Sequence, residues 1–265
     1  MANSPTSGVL VRTNALDPGA EPPRDSYVNL VFDPNDGRLL AMLAGEDMNV
    51  FRTGLPAGLG ARYMASNGAT TLAMLGSGRQ APGQAAAIRH ALPDLRQIRV
   101  FSPTPAHRAR FADEMAARLG IMASAVDSAR EAIEDADVVD VCTSATEPVF
   151  ETTWVRPGAL VITVSAGVLP SDLVTGSRVV VAASREIGSD SPREPYTSLI
   201  KAGAWGPDSI VADFAEVLQG AAVRQSSDDT VIFEMHGMSA WDVALNRWAY
   251  DSALARGVGT AFHLS

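Results

Sequence analysis

Residues 71–92 read TLAMLGSGRQAPGQAAAIRHAL. An aliphatic run breaks into glycine and resumes as an alanine-rich stretch, so the segment predicts strand, tight loop and helix in succession. Gly76-Ser77-Gly78-Arg79-Gln80-Ala81 fits G-x-G-x-x-G/A, and a strand before it with a helix after it is the context that gives the pattern meaning. Gly76 permits the tight turn, Gly78 lets backbone approach a pyrophosphate, and the small Ala81 lets helix and strand pack closely. The N–H groups that open the helix then face the phosphates. A dinucleotide site is expected here.

Working outward, short β-like runs alternate with helical stretches. Strands are predicted at Thr71–Leu75, Ile98–Phe101, Met122–Ser124, Val138–Cys142, Leu160–Val164 and Val179–Ala182, and helices at Gln80–Leu92, Pro105–Leu119 and Ser128–Glu134. Near-continuous aliphatic strands such as Leu160–Val164 suit burial on both faces of a parallel sheet. The alternation predicts an α/β fold, a Rossmann-type doubly wound sheet. Upstream, Tyr27–Phe32 and Leu39–Leu43 around Pro34-Asn35-Asp36-Gly37 read as a hairpin, with a short strand at Val9–Arg12 before it. MNVFRTGLPAGLGARYMASNG reads as a helix stopping at Asn67-Gly68, and MSAWDVALNRWAYDSALARGVG as a closing helix. The predicted division is residues 1–67 plus 236–265, a smaller α+β platform completed by the C-terminal helix, and residues 68–235, the dinucleotide-binding domain.

The end of the second sheet strand separates the two nicotinamide cofactors. An NAD site normally has a carboxylate there for the ribose 2′-hydroxyl. None occurs between Leu95 and Phe111, whereas Ser102 and Thr104 offer hydroxyls to a 2′-phosphate and Arg108 or Arg110 a compensating charge. NADP(H) is therefore favoured over NAD(H). Thr143 and Ser144, after the fourth strand of that sheet, belong to the carboxyl edge where a cofactor lies.

A net charge of −9 without a basic run argues against a nucleic-acid or anionic-membrane partner. The single cysteine, Cys142, excludes an internal disulfide and suits a reducing compartment. It has no base or metal-ligand spacing beside it, and no metal site is predicted. No export signal is seen in MANSPTSGVL, and Pro170, Asp172 and Arg178 interrupt the apolar stretch from Ala159 to Ala183. A cytoplasmic protein is expected.

The words LVFDPNDGRLLAML, FRTGLPAGLGARYMA, LGSGRQA, DADVVDVCTSATEPVF, WVRPGA and GMSAWDVA follow one another from about Tyr27 to Gly259. In that order they resemble the ornithine cyclodeaminase and mu-crystallin family. The resemblance implies a two-domain homodimer that binds NAD(H) or NADP(H) and moves hydride to or from the α-carbon of an amino or imino acid, and the expected partner of this chain is a small imino or amino acid or a 2-oxo acid. It makes Arg52 the clamp on the substrate carboxylate, a role that suits the planar guanidinium fork. It aligns Asp242 with a family acid at the start of the closing helix, where capping or orienting a neighbour competes with catalysis. His236 stands where the family chain passes the nicotinamide, and an imidazole there is a candidate proton donor. Glu234 replaces a residue that is often lysine.

Two departures matter. The family aspartate shortly after PGA falls, by counting, at Gly167, which has no side chain; this disfavours ornithine cyclisation. The family lysine near the platform start falls at Gly8, and Arg12 is the one cation among residues 1–20. The leading expectation is an NAD(P)H-dependent reductase or dehydrogenase of a small imino or amino acid. The alternative is an NAD(P)H-binding protein without turnover, with an ornithine cyclodeaminase third.

Overall fold

The computed structural model describes residues 7–13, 26–164, 167–182, 187 and 193–262. The chain divides into two compact units, one of residues 1–52 with 238–265 and one of residues 53–237.

The first unit begins with β1 (Ser7–Thr13), β2 (Ser26–Phe32) and β3 (Leu39–Ala44), an antiparallel sheet with β2 in the middle. The turn between β2 and β3 closes with the N–H of Gly37 donating to the Asp33 carbonyl at 2.9 Å, at a φ of 72° that glycine takes without strain. Gly8 pairs with Val31 in the ladder, and Arg12 with Tyr27; the Arg12 side chain lies outside the described residues. Helix α1 (Glu46–Met64) follows and carries the chain into the second unit. It stops three residues before Asn67, where the sequence suggests an end.

The second unit contains β4 (Thr71–Leu75), α2 (Ala81–Ala91), β5 (Gln97–Phe101), α3 (Pro105–Leu119), β6 (Met122–Ala125), α4 (Ala129–Ile133), β7 (Val138–Val141) and β8 (Leu160–Thr163). It continues through α5 (Ser171–Gly176), β9 (Arg178–Val181), α6 (Tyr196–Lys201), β10 (Ile210–Asp213), α7 (Phe214–Leu218) and β11 (Val231–Glu234). The strands form one parallel sheet in the order β10-β9-β11-β8-β7-β4-β5-β6. Strand order reverses between β4 and β7, the topological switch point at which open α/β sheets bind ligands. The six strands read from the sequence are present; β10 and β11 are additions, and β11 lies between β8 and β9.

Burial follows sheet position. The central strands β7, β8 and β11 are buried at every residue, while the edge strand β6 is largely exposed. On one face α1 packs tightly against α2: a Cβ on Gly54 would stand 2.5 Å from the Gly83 carbonyl oxygen, and one on Gly58 would stand 2.7 Å from that of Ala87. The GLPAG word is thus a small-residue face, and backbone contacts backbone there. Among the described residues no helix is long and apolar enough to cross a membrane.

The chain ends in α8 (Ser239–Arg256), which returns to the first unit. There Asn29 of β2 donates to Asn246 of α8 at 3.0 Å, both side chains buried.

Candidate functional site

The carboxyl ends of β4, β5 and β7 open into a cleft of ≈ 510 Å³. Gly76, Ser77, Gly78, Arg79 and Gln80 line it from the loop after β4, Ser102 and Thr104 from the end of β5, and Thr143 and Ser144 from the end of β7. The predicted phosphate loop, the predicted ribose end and the predicted carboxyl edge therefore share one cavity. Ala81 begins α2 and is fully buried, so its small side chain serves packing.

The loop is pinned at its base and open at its tip. The Gly76 N–H donates to the Phe101 carbonyl at 2.9 Å, and φ at Gly76 is 119°. A Cβ there would lie 2.0 Å from the Cys142 carbonyl oxygen, so backbone from β7 fills the space a side chain needs. At Gly78 a Cβ would meet nothing within 4 Å; its space belongs to the cleft. That is the shape a pyrophosphate requires, close backbone and no side chain, at the start of an eleven-residue helix. The residues present fit a dinucleotide.

At the ribose end the hydroxyls of Ser77 and Ser102 share a hydrogen bond of 2.8 Å, which ties the glycine loop to β5. Arg108 is placed differently from the expectation. Its guanidinium donates to the Ser102 carbonyl at 3.0 Å and to Asp127 at 2.6 Å, lies over the Phe101 ring, and is buried. It braces the end of β5 from below and is not among the cleft-lining residues. His107, one position earlier, lines the cleft instead. The sequence shows both residues, and only the rotation of α3 decides between them.

Beneath the loop lies a buried polar group that sequence reading did not single out. The carboxyl of Asp140, on β7, is fully buried facing Gln84 of α2, and burial pushes it up to about 8. Two orientations of the Gln84 amide suit this site. With Asp140 ionised, the amide nitrogen donates to both carboxylate oxygens, at 2.9 and 3.1 Å. With Asp140 protonated, the carboxyl proton goes to the Gln84 carbonyl, and the amide nitrogen donates to Cys142 Sγ at 3.0 Å. Burial favours the protonated carboxyl. The Cys142 thiol is likewise raised, by its own burial first and then by Asp140, so it is an inert wall of the cleft.

His236 stands two residues past β11, with Nδ1 3.7 Å from Glu234 Oε1. The Glu234 carboxylate is 2% exposed; the Tyr196 hydroxyl donates to it at 3.2 Å, and Arg193 stands 3.6 Å away. Burial, and then the Glu234 charge, hold the Tyr196 hydroxyl protonated well above the usual phenol range. Glu234 pairs in register with Thr163 of β8, and the next residue, Val164, lines the cleft. In the first unit, Arg52 on α1 and Asp242 on α8 form an ion pair through Nε at 2.8 Å, both partly buried. Gly167 has a φ of 81°, and a Cβ on it would stand 2.7 Å from the Thr146 carbonyl oxygen. The backbone here is shaped for glycine, so an aspartate has no room.

Comparison with known proteins bears on the whole chain. The model of the ornithine cyclodeaminase/mu-crystallin family matches residues 10–257. The chain is 30% identical over 236 residues to the Delta(1)-pyrroline-2-carboxylate reductase of Bacillus cereus, covering 87% of this chain and 72% of that protein. It is 28% identical over 228 residues to the ketimine reductase mu-crystallin of Rattus norvegicus, covering 84% and 68%. Among solved structures, Delta(1)-pyrroline-2-carboxylate reductase of Thermococcus litoralis, in complex with NADH and L-proline, superposes with a TM-score of 0.90 at 29% identity. That match covers 98% of this chain and 82% of the other.

Proposed function

The chain belongs to the ornithine cyclodeaminase/mu-crystallin family, and from that membership we propose that it is an NAD(P)H-dependent reductase of a small imino acid, with NADP(H) the preferred cofactor. Its reaction class is that of an oxidoreductase working on a C–N bond. The observation that carries the reading is the loop at the switch point, held shut at Gly76 and open at Gly78. The nicotinamide, when bound, supplies the hydride that the imino carbon receives.

The chain's own residues bind, orient and move a proton. Backbone N–H groups of the loop and of α2 hold the pyrophosphate, and Thr143 and Ser144 orient the cofactor at the carboxyl edge. Arg52 clamps the substrate carboxylate, which fixes the carbon to be reduced. Asp242 orients Arg52 through the ion pair. His236 donates a proton to the imine nitrogen as it becomes an amine, with the Glu234 carboxylate beside it as counter-charge. The Bacillus cereus and Thermococcus litoralis relatives make cyclic imino acids such as Delta(1)-pyrroline-2-carboxylate the first substrates to try. The protein acts as a homodimer in this reading.

Titration of NADPH and NADH by nicotinamide fluorescence tests the cofactor half of the proposal. Saturable binding of both, with NADPH tighter, is expected. Failure to bind either removes the reading, and tighter NADH removes the preference alone.

A further inference from the structure

We propose that His107, together with Thr104, holds the 2′-phosphate of NADP(H) and sets the cofactor preference. The inference rests on the dinucleotide reading of the cleft and goes beyond it by naming the discriminating side chain.

A ribose 2′-phosphate is a compact dianion, and a site that prefers it to a hydroxyl needs hydrogen-bond donors, a basic group and no carboxylate. The end of β5 meets the last condition, because no Asp or Glu occurs between Leu95 and Phe111. The remaining conditions turn on which side chains face the cleft. Arg79, on the glycine loop, lines the cleft and already has an interaction partner; Arg108 is committed below the cleft to the Ser102 carbonyl, to Asp127 and to the Phe101 ring. Drawing it out would break two charge-assisted bonds and leave a buried carbonyl unpaired. Arg110 is exposed but is not among the lining residues.

His107 lies about 100° around the helix from Arg108, in the first turn of α3, exposed and lining the cleft. Thr104 occupies the N-cap position of α3 yet makes no side-chain cap bond, so its hydroxyl is not used by the helix. Ser102, by contrast, is buried and shares its hydroxyl with Ser77. Its part is to fix the glycine loop relative to this corner. Pro103 and Pro105 flank Thr104; each ring fixes its own φ and restricts the residue before it. Thr104 and His107 thus sit three residues apart on one short, stiff segment at the edge of the cleft. An imidazole donates an N–H to phosphate when neutral and adds charge when protonated. Facing a bare 2′-hydroxyl it gains much less, and that difference is the selectivity.

The test uses 2′,5′-ADP and 5′-AMP, which carry and lack the phosphate in question, in competition with NADPH fluorescence on the full chain. The unmodified protein is expected to bind 2′,5′-ADP roughly ten- to a hundredfold more tightly than 5′-AMP, the range of a hydrogen bond to a charged group. His107→Ala should bring that ratio close to one while the 5′-AMP constant stays put, and His107→Lys should restore it. Arg108→Ala should lower the melting temperature and weaken both ligands alike. A large ratio that survives His107→Ala, or one that collapses in Arg108→Ala alone, overturns the assignment while leaving the NADP reading intact. A ratio near one in the unmodified protein overturns both the assignment and the preference. Failure of every nucleotide to bind overturns the dinucleotide reading itself.

Discussion

Gly76 and Gly78 stand two residues apart in one loop, and substitution should separate fold from function between them. Gly76→Ala forces a positive φ on an L-residue and drives its Cβ into the Cys142 carbonyl. Backbone strain of this kind costs about 1–3 kcal/mol, and a lowered melting temperature is expected together with lost binding. Gly78→Leu meets open space, so the melting temperature should hold while both nicotinamide cofactors lose measurable affinity. Retained binding in Gly78→Leu contradicts the placement of the phosphate loop. Gly167 carries a related prediction. Gly167→Asp restores the family residue type but not a usable carboxylate, because the Thr146 carbonyl occupies its path. The variant should be destabilised, and neither it nor the parent should convert ornithine to proline. Efficient conversion by the parent chain contradicts this account of the position.

Asp140 adds a pH dependence at the same scale. Its carboxyl is ordinarily near 3.8 and is pushed up to about 8 in the fold, so between those values the unfolded chain is ionised while the folded chain keeps the proton. Folding takes up a proton in that window. Stability from this group is therefore full below about pH 4, falls as pH rises, and is lost by about pH 8. Urea unfolding should show the decline, and Asp140→Asn should flatten it. A decline that persists unchanged in Asp140→Asn assigns it elsewhere. Sequence patterning shows Asp140 only as a polar residue inside a buried strand; that it faces Gln84 is a matter of packing between β7 and α2.

At the scale of elements, α1 and α8 are joined in the first unit by Arg52 and Asp242. Arg52→Ala should lower kcat/KM for an imino acid by roughly ten- to a hundredfold, the effect of losing a charge-assisted hydrogen bond of about 1.5–3 kcal/mol, with cofactor affinity unchanged. Asp242→Asn keeps the size and removes the counter-charge, so a smaller loss of the same kind is expected. Equal loss of cofactor affinity in either variant shows a structural pair instead. The elements legible in the sequence were those with strong local signals: β4 with its glycine loop, the β2–β3 turn around Gly37, and the long amphipathic α3. The four-residue β10 and β11 and the short α6 and α7 escaped, because segments this short carry little periodicity of their own; the equally short β7, β8 and β9 were legible as aliphatic runs set in the alternation of strand and helix. With β11 unread, Glu234 stands out only as a replacement for a residue that is often lysine in the family, and its convergence with Tyr196, Arg193 and His236 is not visible in the sequence. The choice between His107 and Arg108 escaped for another reason: it depends on the phase of α3 to within one residue, which composition does not fix.

For the whole molecule, the exposed surface bears on assembly. Helix α1 exposes Phe51, Leu55, Leu59 and Tyr63 at four-residue spacing, a continuous apolar ridge of the kind that packs into a facing groove. Trp248 and Leu254 are exposed on α8. The proposed homodimer gives these residues a partner, and light scattering should return twice the mass of one chain. Leu55→Glu/Leu59→Glu should shift the species toward one chain if the ridge is the contact. A single-chain mass for the unmodified protein at micromolar concentration contradicts the dimer. Turnover is tested by following nicotinamide absorbance while NADPH and NADH are offered Delta(1)-pyrroline-2-carboxylate and a panel of 2-oxo acids with ammonia or methylamine. A reductase of this kind consumes NADPH in a substrate-dependent way with at least one imino acid, more slowly with NADH, and much less in Arg52→Ala and His236→Ala. Unchanged absorbance across the panel, in a protein that binds the cofactor, would contradict this reading and leave a nicotinamide-binding protein without turnover.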